Sequence, residues 1–177
     1  MPNAIVIYFS RRGENYWAGS VRSLERGNTE VAAGYISGAI GCEAFEIVPA
    51  KEYPADYYAC CDEAKAELQS HARVDAGEYP DFSGYEAVFL GYPNWWGTVP
   101  MVVDTFLRHY GDWAGKRIFP FCTNEGSGLG GSVRSIEEAC PGAVVDGGLS
   151  IIGNKVGESR NEIEGWASGC LRNAFGR

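Results

Sequence analysis

Short unbroken apolar runs alternate along the chain with amphipathic stretches. Residues 4–9, 87–92 and 117–122 are rich in isoleucine, valine, phenylalanine and leucine, and each run stops at a polar or glycine-bearing segment. That is how strands buried on both faces of a parallel sheet read. Residues 42–48 alternate more and suggest a strand nearer an edge, and residues 143–152 supply a fifth. Between the strands, Val31, Ala32, Tyr35, Ile36 and Ala39 recur at helical spacing behind the cap-like Gly27-Asn28-Thr29-Glu30. A second helix is predicted at about 55–70 with Tyr57, Cys61, Ala64 and Leu68 on its apolar face. Pro100 opens a third, where a missing N–H costs little, with Val102, Val103, Phe106, Leu107 and Tyr110 as its stripe. Two more follow at about 132–139 and 161–175. In the last, Ile163, Trp166, Ala167, Cys170, Leu171, Ala174 and Phe175 share one face, so Trp166 reads as core.

Five strands alternating with five helices predict an α/β, doubly wound parallel sheet with right-handed crossovers and helices on both faces. A chain of 177 residues fits one such domain, residues 1–177. Ligands of open α/β sheets bind beyond the carboxyl ends of the strands, so the segments after each strand carry the candidate chemistry. After the first comes Ser10-Arg11-Arg12-Gly13-Glu14-Asn15, a hydroxyl, two guanidinium groups and an amide suited to an anion such as phosphate. Residues 14–26 read as an inserted loop, beyond which Asn28 and Thr29 at a helix N-terminus add donors to the same anion site. After the third strand comes Pro93-Asn94-Trp95-Trp96-Gly97. Adjacent side chains point different ways, so one indole is expected in the core and the other against a flat ligand.

After the fourth strand, Thr123-Asn124-Glu125-Gly126-Ser127-Gly128-Leu129-Gly130-Gly131-Ser132 contains G-x-G-x-x-G. A dinucleotide fingerprint belongs after the opening strand of its unit, so this segment reads instead as a flexible loop whose amides and hydroxyls meet a ligand edge. Cys60, Cys61 and His71 do not make a metal site, since adjacent cysteines on a helix diverge and no fourth ligand is evident. His109 sits where it complements a helix dipole.

A net charge of -8 argues against a nucleic-acid partner. The six cysteines lack paired C-x-x-C spacing, and the first strand begins without a basic start or cleavage signal, so reduced thiols and a cytoplasmic location are expected. No apolar run reaches bilayer-spanning length, so no membrane-embedded role is expected. The 24 glycines cluster after strands, which brings backbone close to a ligand.

Taken together, Tyr8-Phe9-Ser10-Arg11 with Gly13, Gly27-Asn28-Thr29, Glu46-Ile47 leading to Tyr53-Pro54 and Tyr57, Gly91 to Pro100, and Thr123 with Gly126-Ser127-Gly128 resemble the flavodoxin-like superfamily. The similarity is to the branch with a Ser-Arg-x-Gly-x-Asn first loop, and it spans nearly the whole chain. The resemblance implies strand order 2-1-3-4-5 with flavin mononucleotide (FMN) where the order reverses, between strands one and three. It implies a first loop that holds the phosphate (Ser10, Arg12, Asn28, Thr29), a second that flanks the ribityl chain and ring (Pro93, Asn94, Trp95, Trp96, Gly97), and a third at the ring's polar edge (Thr123, Glu125, Gly126, Ser127, Gly128). Two departures stand out: Arg12 replaces the usual hydroxyl residue, and the insertion displaces Asn28-Thr29. If Arg11 or Arg12 points inward, charge pairing replaces part of the neutral cradle; if both point out, they serve a partner.

No residue stands out as a nucleophile or an acid/base pair, so the chemistry would be the cofactor's. Stacked indoles and Glu125 in an acidic protein predict a low reduction potential. The leading expectation is an FMN-dependent electron carrier that serves redox partner proteins. The alternatives are a reductase passing hydride from NAD(P)H to a quinone or similar small-molecule acceptor, and a flavin-free binding module on the same fold.

Overall fold

A computed structural model describes residues 2–176. Its central sheet is formed by β1 (Ala4–Tyr8), β4 (Glu43–Glu46), β5 (Ala87–Pro93), β6 (Arg117–Asn124), β7 (Val144–Val145) and β8 (Leu149–Ile152). The order is β4-β1-β5-β6-β7, with β8 also on β6, and every pairing is parallel. Counting β7 and β8 as one interrupted strand, this is the expected 2-1-3-4-5.

The interruption corrects the single strand expected at 143–152. Between its two ladders the outer chain carries one residue more than β6, which makes a bulge at Asp146-Gly147-Gly148. The cause lies in β6. The Asp146 N–H donates to Ile118 O, so the main-chain groups of Ile118 face the outer strand, and so do those of Pro120 two residues on. Proline has no N–H to offer there, and the neighbouring strand bows away.

The helices are α1 (Asn28–Ile40), α2 (Tyr57–Ser70), α3 (Met101–His109), α4 (Ser132–Ala139) and α5 (Arg160–Phe175). Alternate residues of the buried strands feed two cores. Ile5, Ile7, Val88, Leu90 and Tyr92 pack with α3 and α4, whereas Val6, Phe89, Phe119 and Phe121 pack with α1 and α5. Each such side chain contributes roughly 1.5–3 kcal/mol through burial. Trp166 is half-buried, edge-on to Phe89 at 5.7 Å. On α2 the fully buried positions are Cys60 and Ala64, so the buried face is rotated from the expected stripe; Asp56 caps the helix by accepting from the Ala59 N–H.

The stretch expected to be a loop at 14–26 is mostly an antiparallel hairpin, β2 (Gly13–Trp17) with β3 (Ser20–Leu24). Trp17 and Ser20 close a two-residue turn in which Ala18 and Gly19 both have positive φ, 49° and 95°. That is the turn whose twist suits a hairpin, although alanine is an uncommon choice for it. None of the hairpin residues is fully buried. Polar links hold it: the Glu14 carboxylate accepts from the Tyr57 N–H at 2.7 Å, and at the other end the Glu125 carboxylate accepts from the Ala18 N–H at 3.3 Å. The hairpin therefore runs from the start of α2 to the tip of β6 across the carboxyl edge of the sheet.

Candidate functional site

β1 and β5 are neighbours whose crossovers leave on opposite faces, so a crevice opens between the segments that follow them. Ser10 begins the first segment. Its Oγ accepts the Glu30 N–H at 3.1 Å, and the Val31 N–H bonds to Gly27 O. The first-turn N–H groups of Asn28 and Thr29 have no intrahelical acceptor, as in any helix start. Gly27 makes the approach of Ser10 possible: a Cβ there would lie 2.1 Å from Ser10 Oγ and 2.6 Å from Arg11 O.

Thr29 and Thr123 are 2% and 4% exposed, and their hydroxyls share one hydrogen bond of 2.8 Å. Two hydroxyls carry two protons and this bond uses one, so the pair retains a donor. The start of α1 is thus tied to the end of β6.

The two arginines part company. Arg11 turns along the first segment, its Nε donating to Glu14 O and its guanidinium to Pro54 O and Ala55 O. Arg12 does not face the anion site as expected. Two carboxylates, Glu30 at 3.0 Å and Glu46 at 3.1 Å, hold it outward with its side chain half exposed, where such pairs contribute about 0–1 kcal/mol. Those pairs are formed across the fold, so the local sequence gave no sign of them.

The tryptophan loop divides its indoles into a half-buried Trp95 and an exposed Trp96. Trp95 packs edge-on between Phe9 at 5.2 Å and Tyr53 at 5.0 Å. Trp96 has φ +56° and is 51% exposed; its Nε1 donates to Cys61 O, and Lys65 Nζ lies 5.0 Å over one ring face. Asn94, Trp95 and Trp96 form one wall of a cavity of about 510 Å³, within the range of small-molecule sites. Asn15 and Tyr16 of the hairpin and Tyr57 and Tyr58 of α2 line it too. Burial and the neighbouring Cys61 push the Tyr57 phenol above its ordinary value, so it faces the cavity protonated. Sequence reasoning did not assign these tyrosines to the site. The argument applied to paired indoles at a loop applies equally to paired phenols at a helix start, and would have found Tyr57 and Tyr58.

The third loop differs from the expectation that its amides meet a ligand. The Gly126 and Gly128 N–H groups both donate to Asn124 Oδ1, at 2.9 and 3.0 Å. Glu125 accepts from the Asn154 N–H and side-chain amide as well as from Ala18. Exposed Ser127 sits at the turn between them, and neither it nor Thr123, Glu125, Gly126 or Gly128 lines the cavity. Asn94 joins this loop to the second one: its Nδ2 donates to Gly128 O at 2.8 Å and its Oδ1 accepts the Gly97 N–H at 2.8 Å. Pro93, at the end of β5, pairs in register with Thr123.

Removing the Glu125 carboxylate (Glu125→Ala) is expected to free the hairpin tip at a cost of about 1–2 kcal/mol. Amide exchange followed by mass spectrometry should rise across residues 13–24; unchanged exchange there would mean that the tip is held by something else.

The profile of the Flavodoxin family matches residues 22–169, well over half of the chain, beginning beyond Ser10 and the first segment. No curated protein matches the sequence. Among solved structures, a candidate flavoprotein from Bacteroides eggerthii is 23% identical over 96% of this chain and 98% of its own, with a TM-score of 0.73. One from Bacteroides uniformis is 25% identical over 94% and 98%, with a TM-score of 0.72. A Lactobacillus acidophilus flavoprotein in complex with FMN is 20% identical over 89% and 98%, with a TM-score of 0.61. The sheet order and the family profile agree, and the chain belongs to the flavodoxin family.

Proposed function

We propose that this flavodoxin-family chain binds FMN and carries electrons between redox partners. The observation that carries this reading is the adjacency of an anion seat and an aromatic cavity at the point where strand order reverses. The seat suits a phosphate: the start of α1 carries the N–H groups of Asn28 and Thr29 and the donor left by the Thr29–Thr123 pair, and Gly27 lets Ser10 approach it closely. The cavity fits a flat ring, with Trp95 and Trp96 along one side. The FMN complex of the Lactobacillus acidophilus flavoprotein, which shares the fold, supports the choice of nucleotide.

Bound FMN supplies the electron chemistry, and the chain supplies position and electrostatics. Asn94 fixes the indole loop by bonding both Gly97 and Gly128. The electron-rich indoles and phenols that line the cavity, in a chain of net charge -8, oppose added negative charge there. The chain therefore lowers the reduction potential of a flavin that it holds, and redox titration should give a value below that of free flavin. A value well above it would refute this electrostatic account. His109 stacks on Tyr79 at 4.0 Å and His71 caps α2, so neither histidine serves the cavity. No helix among the described residues is long and apolar enough to cross a membrane.

The test is the visible absorption spectrum of the purified protein before and after adding FMN. Flavin bands with quenched fluorescence support the reading, and a colourless protein that leaves added FMN fully fluorescent overturns it.

A further inference from the structure

Two helices begin beside the first segment, and neither is capped by its own sequence alone. α1 starts behind Gly27, which has no side chain to offer, and Ser10 Oγ accepts the Glu30 N–H instead. α2 has a cap of its own in Asp56, but that side chain serves the Ala59 N–H, and the first turn carries no acidic residue. The Tyr57 N–H, one of the orphan donors of any helix start, is left over. Glu14 accepts it at 2.7 Å. A carboxylate in that place is favoured by the helix dipole and makes a charge-assisted bond.

Arg11 adds to the grip. Its guanidinium donates to Pro54 O at 2.9 Å and to Ala55 O at 3.0 Å, the carbonyls just ahead of the cap, while its Nε bonds Glu14 O. Asn15 Nδ2 donates to Arg11 O and Gly13 O, which folds the segment back on itself. The Arg11 carbonyl is also the group that a Cβ at position 27 would meet at 2.6 Å. Residues 10–15 therefore touch the start of α1 and hold the start of α2. One turn further along, Trp96 Nε1 donates to Cys61 O at 2.9 Å. α2 depends on such outside ties: its fully buried residues are Cys60 and Ala64, both small, so packing contributes little to its place. Yet Tyr57, Tyr58, Cys60, Cys61, Asp62 and Ala64 supply much of the cavity's lining.

We propose that Glu14 is a positioning residue: with Arg11 it fixes α2 from outside the helix, and so fixes the part of the cavity that α2 lines. The consequence for FMN rests on the reading above, whereas the consequence for α2 does not. The insertion thereby has a role, because Glu14 belongs to β2 of the hairpin and no acidic residue in the first turn of α2 replaces it.

The experiment measures amide exchange by mass spectrometry on the apo forms of the wild type, Glu14→Ala and Glu14→Gln, with melting midpoints as the check that each folds. FMN is then titrated into all three, followed by fluorescence. Glu14→Ala should speed exchange across residues 55–64 about fivefold to tenfold and weaken FMN binding by about threefold to tenfold, while residues 28–33 exchange at the wild-type rate. Glu14→Gln keeps an acceptor oxygen at the same reach and should lie within about threefold of the wild type in both. Unchanged exchange across 55–64, or a rise confined to the hairpin at 13–24, would overturn the proposal, because Glu14 would then hold only its own strand. A Glu14→Gln protein as loose as Glu14→Ala would overturn it too, since the bond to Tyr57 would not be what holds the helix. So would a rise at 28–33, which would place the loss in the segment as a whole. Faster exchange at 55–64 with unaltered FMN affinity would overturn the link from α2 to the cofactor. A wild type that leaves FMN fully fluorescent would overturn the FMN reading, and the exchange result alone would then decide the place of Glu14.

Discussion

Gly27→Ala is expected to weaken FMN binding about a hundredfold and to destabilise the apo-protein by about 2–3 kcal/mol. The backbone of Gly27 has φ -65° and ψ 153°, which alanine adopts freely, so the penalty is steric. The new Cβ would meet Ser10 Oγ at 2.1 Å and Arg11 O at 2.6 Å. The serine hydroxyl can rotate away, but only by giving up the Glu30 N–H; the carbonyl is main chain and can move only with the whole first segment. Either response opens the anion seat. For a chain of this size the thermal midpoint should fall by about 4–10 °C. Gly38→Ala provides the contrast within the same helix. No atom lies within 4 Å of a Cβ built there, so it should gain about 0.5–1 kcal/mol from helix propensity alone. Calorimetry and an FMN titration decide between them. A Gly27→Ala protein that melts and binds like the wild type would mean that the first segment is not pressed against α1.

The same segment marks where sequence reading stopped. The runs at β1, β5 and β6 are buried on both faces, so their composition alone announces a parallel sheet, and the stripe on α5 announces its packing through Ile163, Ala167 and Leu171. The hairpin gave no such signal. It buries neither face completely, so no alternation was imposed on it, and its turn carries alanine where asparagine or aspartate usually advertises positive φ. Arg12 looked like a phosphate ligand because its two carboxylate partners lie 18 and 34 residues away. The glycines of the third loop suggested exposed amides. The structure uses them for positive φ at Gly126, Gly128 and Gly130 and for contact with Gly97, while Asn124 consumes the amides. The strands follow from local composition and their order from the family resemblance, whereas the partners of a polar side chain follow from the assembled fold.

Thr29 and Thr123 show how stability and binding can be separated at one contact. Either Thr29→Val or Thr123→Val should cost about 1–3 kcal/mol, because the remaining hydroxyl is left buried without its partner. The double variant exchanges two hydroxyls for two methyls of nearly the same shape and strands no polar group. It should therefore recover most of the loss, with a coupling of about 1–2 kcal/mol across the cycle. Binding should not recover. On the proposed reading the pair's second O–H serves the phosphate, and the double variant has none, so its FMN affinity should remain about tenfold or more below wild type even as its melting midpoint returns. A double variant that regains both would assign the pair to structure alone. One that loses both additively would mean that the two hydroxyls do not depend on each other, contrary to their 2.8 Å contact.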